Sequence, residues 1–336
     1  MSDDRIKVLF IAGAGRSGST LLHNVLGQLD GYVAVGEIRE IWRRGILGNW
    51  RCGCDTPFHG CEFWNEVIGA AYGGAAGLDA TRLAALTEQL RVKDLPATLI
   101  PSLRNRILLQ LDDLLRALEK LFVAIHDVTG SSVIVDSSKN PSFGYLLHAI
   151  PRLDVFDLHL VRHPAAVAFS WQRRKDFESG RKMPRQRPAK SAAQWMGRNV
   201  GVERFIRPGS RHFAGLRYED FIAEPVRWLD AITQWLGESA PAHAVLDGNA
   251  VELTEPGHSV FGNQTRFHSG TVQLRRDDRW IAQMEARDVR EVALITWPLL
   301  AKYRYALRPP IARSNPRLAA HWWTETNVPN RRARPA

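Results

Sequence analysis

The sequence predicts an α/β protein: three layers around a central, mostly parallel sheet, with a helical insertion. Strand-like apolar runs at 6–12, 132–136, 155–161 and 212–217 alternate with stretches of helical period, the pattern of βαβ units. The first run leads into a glycine-rich turn that opens a helix. A chain of 336 residues can bury one large core with insertions. The expected organisation is a single domain over 1–310, with the insertion at about 62–126 and a basic tail over 311–336. No apolar run approaches the roughly 18 residues of a spanning helix. Met1 to Arg5 lead directly into the first strand, so a cytoplasmic protein without a signal peptide is expected.

In chain order, the first element is the buried strand Ile6-Lys7-Val8-Leu9-Phe10-Ile11-Ala12, followed by Gly13-Ala14-Gly15-Arg16-Ser17-Gly18-Ser19-Thr20 and a helix through Leu26. The turn has the frame of a phosphate-binding P-loop, G-x-x-x-x-G-K-[ST], with Ser19 in the lysine's place. Backbone N–H groups and the positive helix end converge there on an anion. The missing lysine normally reaches the outer phosphates of a nucleoside triphosphate. Arg16 is the replacement cation, which points to a phosphate-like group other than the tail of ATP or GTP.

After that helix, Tyr32-Val33-Ala34-Val35 reads as a short strand ending in Gly36-Glu37-Ile38-Arg39, with a helix expected over 38–47. Residues 62–126 carry helical periodicity in a leucine stripe that includes Leu83, Leu86, Leu114 and Leu118, and this is read as core packing. The strand Ser132 to Val135 runs into Asp136-Ser137-Ser138-Lys139-Asn140-Pro141. The strand Asp157 to Val161 ends in Arg162-His163-Pro164, and Pro164 suits the first position of a helix reaching about Lys175. Arg162 thus lies at a strand's carboxyl end, where open α/β sheets bind ligands. Tyr218 follows the strand His212 to Leu216, and 262–280 reads as a long polar loop.

G-R-S-G-S-T-L-L after an N-terminal strand resembles the 5′-phosphosulfate loop of PAPS-dependent sulfotransferases, bacterial-type enzymes of P-loop NTPase-like fold among them. The resemblance implies 3′-phosphoadenosine 5′-phosphosulfate as donor, gripped by Gly15, Arg16, Ser17, Gly18, Ser19 and Thr20. The family's 3′-phosphate site pairs an arginine ending a strand with a serine eight residues on, matching Arg162 and Ser170. It also nominates Tyr218 beside the nucleotide and Arg266 in a loop closing over the 3′-phosphate. Glu37, 21 positions after Arg16, stands where protein-tyrosine sulfotransferases carry their base, and Lys139 matches their charge-stabilising lysine. The implied catalytic set is Glu37, Arg16 and Lys139, and no metal is expected in the reaction. Those relatives read Gly-Glu-Glu-Thr-Arg where this chain has Gly-Glu-Ile-Arg-Glu, so a tyrosine acceptor does not follow. The expected acceptor is a hydroxyl of a carbohydrate, glycolipid or small molecule, with carbohydrate or glycolipid favoured.

Plain readings stay open beside these. Glu37 fits a favourable charge at a helix start, Lys139 a solvated turn, and Tyr218 a core tyrosine. A P-loop nucleotide kinase or NTPase and a non-catalytic polyanion-binding protein are the alternatives. The formal charge of +10 fits an anionic cofactor or peripheral contact with an anionic membrane, and no nucleic-acid partner is expected. Eight basic residues fall between 173 and 190, and Arg331, Arg332 and Arg334 crowd the end of the chain. Cys52, Cys54 and Cys61 lie close together with His59 between them, a set read as packed thiols ahead of a metal site. Trp42, Trp50, Trp64, Trp171 and Trp195 are candidate stacking surfaces. The sequence leaves the oligomeric state open.

Overall fold

Alternation along the first strand, β1 (Ile6–Gly13), sets the layers. Val8 and Phe10 join one buried cluster and Leu9 and Ile11 another, because successive strand side chains point to opposite faces. The computed structural model describes residues 5–173, 185–239, 241, 245–254 and 257–306. With β2 (Tyr32–Gly36), β3 (Val133–Lys139), β4 (Leu153–Val161) and β5 (His212–Arg217), β1 forms a five-stranded sheet in the order β2-β3-β1-β4-β5. All its pairings are parallel. A small antiparallel sheet, β6 (Leu246–Asp247), β7 (Ala250–Leu253) and β8 (Gly270–Gln273), lies outside it.

On one face pack α1 (Ser19–Leu26), α9 (Tyr218–Ala223) and α10 (Pro225–Trp235), through Leu22, Phe221 and Leu229. The other face is covered by the insertion helices α2 (Glu62–Tyr72), α3 (Ala80–Gln89), α4 (Pro101–Gln110) and α5 (Asp112–Thr129), with α6 (Pro141–Leu147). Leu83, Leu86, Leu114 and Leu118 are buried there, so the leucine stripe is core. A further group comprises α7 (Pro164–Gln172), α8 (Pro188–Gly201), α11 (Arg279–Gln283) and α12 (Ala286–Lys302). Among the described residues no helix is long and apolar enough to cross a membrane.

Three local expectations change. Residues 38–46 form a 3₁₀ turn (Ile38–Glu40) and a π-helical turn (Ile41–Ile46) instead of an α-helix. β3 extends to Lys139, which makes that lysine a strand end and not a turn residue. The stretch read as a long polar loop contains a 3₁₀ turn (Gln264–Phe267), β8 and the start of α11. The basic residues at 174, 175, 181 and 182, and the 311–336 tail, lie outside the described residues.

Candidate active site

Each strand of the parallel sheet delivers a candidate residue at its carboxyl end. The Gly15–Thr20 loop follows β1, Glu37 follows β2, Lys139 ends β3, Arg162 follows β4 and Tyr218 follows β5. These ends meet at a cavity of about 370 Å³. Gly15, Arg16, Gly18, Ser19, Thr20, Glu37, Lys139, Arg162, Ser170 and Tyr218 all line it. Ser17 is buried behind the loop and is not part of the wall. Arg266 is also outside the wall. Its guanidinium lies 4.2 Å over the Phe267 ring, and Nη1 donates to the Gly262 carbonyl at 3.3 Å, behind Gly262, Asn263 and Thr265, which do line the cavity.

The loop is shaped for an anion. No side chain caps α1, which leaves its first N–H groups at the cavity wall. Gly18 has φ of +89°, and a Cβ there would lie 2.3 Å from the Tyr218 ring. Arg16 is in the left-handed region at φ +67°, with its guanidinium 4.8 Å over the Trp171 ring. Burial lowers its pKa, and the charge of Glu37 opposes that shift. Lys139 is likewise left-handed, at φ +63°. Two non-glycine residues in this region, both in one cavity, are strain of the kind that clusters at functional sites.

Lys139 Nζ sits 2.6 Å from Glu37 Oε1, with both residues buried, and it also donates to the Ser137 carbonyl at 2.7 Å. Glu37 makes no capping hydrogen bond to the turn it begins, so its carboxylate faces the lysine and the cavity. Gly36 brings this corner against Ser259: a Cβ on Gly36 would meet Ser259 Oγ at 2.2 Å. Neighbouring Glu40 is different. Arg39, Arg43 and Arg44 hold it at 3.0, 2.9 and 2.7 Å. Burial raises its pKa, but these three arginines outweigh burial and the net shift is downward. Asp136, fully buried on β3 three residues before Lys139, is pushed up to about 7 by burial, against hydrogen bonds from Ser138.

Arg162 ties the end of β4 to the 15–20 loop. Its Nη1 donates to the Arg16 carbonyl at 3.2 Å, its Nη2 to the Asp277 carbonyl at 3.4 Å, and it stacks 4.7 Å over Tyr218. Its own carbonyl accepts from Trp195 Nε1 at 3.0 Å. Burial raises the Tyr218 pKa, with Arg162 opposing, so the phenol stays protonated.

Sequence reasoning missed Arg198 of α8 and Asp277, both in the cavity wall. Arg198 is driven down from its usual pKa by burial, with Glu37 opposing. No local motif marks either residue. Arg16, Arg39, Lys139, Arg162 and Arg198 face Glu37, Glu40 and Asp277 there, an excess of cations suited to an anionic ligand. Of the tryptophans, Trp42, Trp64 and Trp195 are core, and Trp171 lines the cavity. Trp50 stacks under Arg44, whose guanidinium lies 4.2 Å over it and 4.0 Å over Phe261 of the cavity wall.

A parallel sheet in this order, with a cation-rich cavity at its carboxyl edge, places the chain in the class of open α/β proteins that bind ligands beyond their strand ends. Residues 9–241 match the Sulfotransferase family, and the chain belongs to that family. It is similar in fold to the sulfotransferase domain from the curacin biosynthetic pathway, at 14% identity and a TM-score of 0.50 over 90% of this chain and 99% of that one. The sulfotransferase domain from the Synechococcus PCC 7002 olefin synthase aligns at 18% identity and a TM-score of 0.49, covering 90% and 96%. No curated protein matches the chain.

Proposed function

We propose that this sulfotransferase takes a sulfuryl group from 3′-phosphoadenosine 5′-phosphosulfate and transfers it to an acceptor hydroxyl. The observation that carries this reading is the meeting, in one cavity, of a P-loop-shaped turn lacking its lysine with the Arg162–Ser170 pair and a Glu37–Lys139 pair. The residues fit such a donor. Arg162 Nε is buried with no hydrogen-bond partner among the described residues, at a wall with an excess of cations.

When bound, the donor supplies an activated sulfuryl group and leaves as adenosine 3′,5′-bisphosphate. The 15–20 turn grips the 5′ side through backbone N–H groups and the hydroxyls of Ser19 and Thr20. Arg162 and Ser170 grip the 3′-phosphate, and Tyr218 packs against the nucleotide. Ser17 and Arg266 contribute indirectly, Ser17 by filling space beneath the turn and Arg266 by bracing the 262–267 segment. Glu37 accepts the proton of the acceptor hydroxyl. Lys139 and Arg16 face the charge that develops on the transferring and leaving oxygens, the role cations play in the analogous phosphoryl transfer. Phe261, braced from outside the wall by Arg44, gives that end of the cavity an aromatic surface suited to a carbohydrate or glycolipid.

A thermal-shift titration tests the donor assignment. Adenosine 3′,5′-bisphosphate should raise the melting temperature, because a ligand of the folded state stabilises it. A shift with magnesium–ATP and none with the bisphosphate would instead favour a kinase. Salt-sensitive heparin binding without either response would favour a polyanion binder. The acceptor is then sought by incubating donor, enzyme and glycan or lipid extracts and reading a gain of one sulfate by mass spectrometry.

A further inference from the structure

We infer that Cys52, Cys54, Cys61 and His258 form a structural zinc site that fastens one wall of the cavity. The sequence groups the three cysteines with His59, but His59 turns away, its Nε2 lying 2.9 Å from the Ile46 carbonyl. The fourth donor is His258, 197 positions after Cys61. All four ligand atoms lie within 4.8 Å of one another.

Four of the six ligand–ligand distances are those of a tetrahedron, and the other two are within 4.8 Å. Zinc bonds of about 2.3 Å to sulfur and about 2.0 Å to nitrogen place ligands roughly 3.8 Å apart for sulfur pairs and roughly 3.5 Å for sulfur and nitrogen. Cys54 and Cys61 Sγ are 3.6 Å apart, and Cys61 and Cys52 Sγ are 3.7 Å apart. Nδ1 of His258 is 3.5 Å from Cys61 Sγ and 3.7 Å from Cys52 Sγ. No pair is joined as a disulfide. A disulfide would use two of the sulfurs and leave the third thiol and the inward-facing imidazole unexplained.

The surroundings fix the imidazole. Phe63 stacks on the His258 ring at 4.1 Å, and Trp64 Nε1 donates to the His258 carbonyl at 2.8 Å. The Cys52-Gly53-Cys54 turn presses onto the histidine's segment so closely that a Cβ on Gly53 would lie 2.0 Å from the Gly257 carbonyl. Four protein ligands close the coordination shell, which marks a structural site and not a catalytic one. None of the four lines the cavity. Ser259 next to the site packs on Gly36, and Phe261 to Asn263 form cavity wall, so the metal would hold that wall against the end of β2 that leads into Glu37. This inference stands apart from the choice of donor.

The test is metal analysis of the full chain purified under reducing conditions without a metal-affinity step. About one zinc per chain is expected, released with loss of thermal stability by a mercurial thiol reagent or a strong chelator. His258→Ala and Cys61→Ser should lose the zinc, whereas His258→Cys, which offers a fourth thiolate, should keep it. Folding of each variant is checked by circular dichroism. The inference is overturned if the wild-type chain, after incubation with equimolar zinc, holds less than about 0.1 zinc and its three thiols react freely with Ellman's reagent. It is also overturned if the folded His258→Ala protein retains full zinc.

Discussion

The ammonium of Lys139 lies 2.6 Å from the Glu37 carboxylate, joining the carboxyl ends of β2 and β3 across one corner of the cavity. The pairing fixes the carboxylate's rotamer before any acceptor arrives. Replacing Glu37 by glutamine keeps the shape and removes the carboxylate to which the proposed function assigns the acceptor's proton. Turnover should fall by about 10²–10⁴-fold, the usual contribution of a positioned general base. The bisphosphate-induced thermal shift should persist. A Glu37→Gln enzyme with near-normal turnover would remove the residue from the mechanism.

Arg162, assigned to the 3′-phosphate in the proposed function, offers a fork that lysine cannot reproduce. Arg162→Met should weaken adenosine 3′,5′-bisphosphate binding by about 1.5–3 kcal/mol, the worth of a hydrogen bond to a charged group. Binding of adenosine 5′-monophosphate, which lacks the 3′-phosphate, should change far less. Calorimetry on both nucleotides checks the contrast, and equal losses would point to a collapsed loop instead, since Arg162 also holds the Arg16 carbonyl.

Gly18→Ala asks for two things the fold does not give. Its φ of +89° disfavours any side chain, and the new methyl would sit 2.3 Å from Tyr218. A destabilisation of about 1–3 kcal/mol is expected from strain and overpacking. In denaturant melts, adding Tyr218→Ala should recover the steric part and leave the backbone part.

His163 gives a pH signature. Its Nδ1 accepts from the Ala165 N–H at 3.2 Å, capping α7, and its ring stacks 4.6 Å from Trp280. Burial, with help from Arg162, lowers its pKa from 6.5 to about 4, against a backbone hydrogen bond. The unfolded chain therefore takes up this proton first as pH falls. The stability tied to a neutral His163 is present above pH 6.5 and is lost progressively down to about 4. Between those values the slope is about 1.4 kcal/mol per pH unit from this group. His163→Asn keeps a capping oxygen and removes the titration. Its stability relative to wild type should rise on acidification from pH 7 to 5, as read by melts at each pH.

Much of this site could be read from residues because its parts are local. A strand, a glycine turn and a helix start are adjacent in sequence, and an arginine or lysine placed just after an apolar run falls at the sheet edge. Lys139 and Arg162 reach the cavity for that reason. The remainder depends on contacts between distant segments. Arg198 reaches the wall from the last turn of α8, Asp277 from beyond the small sheet, and His258 reaches the cysteines because two distant segments pack together. Residues 38–46 carry a helical pattern, but Arg39, Arg43 and Arg44 converge on Glu40 in a tighter and then wider turn than that pattern implies. Arg266 fits a loop motif, yet its side chain folds onto Phe267 behind the wall.

The wall formed by Phe261, Gly262 and Asn263 belongs to no strand of the parallel sheet. Exchange of that short stretch could therefore retune which molecules are modified while the machinery at the strand tips stays as it is. Selectivity and reactivity are in this sense separately editable, and an engineer wishing to redirect the protein would begin there.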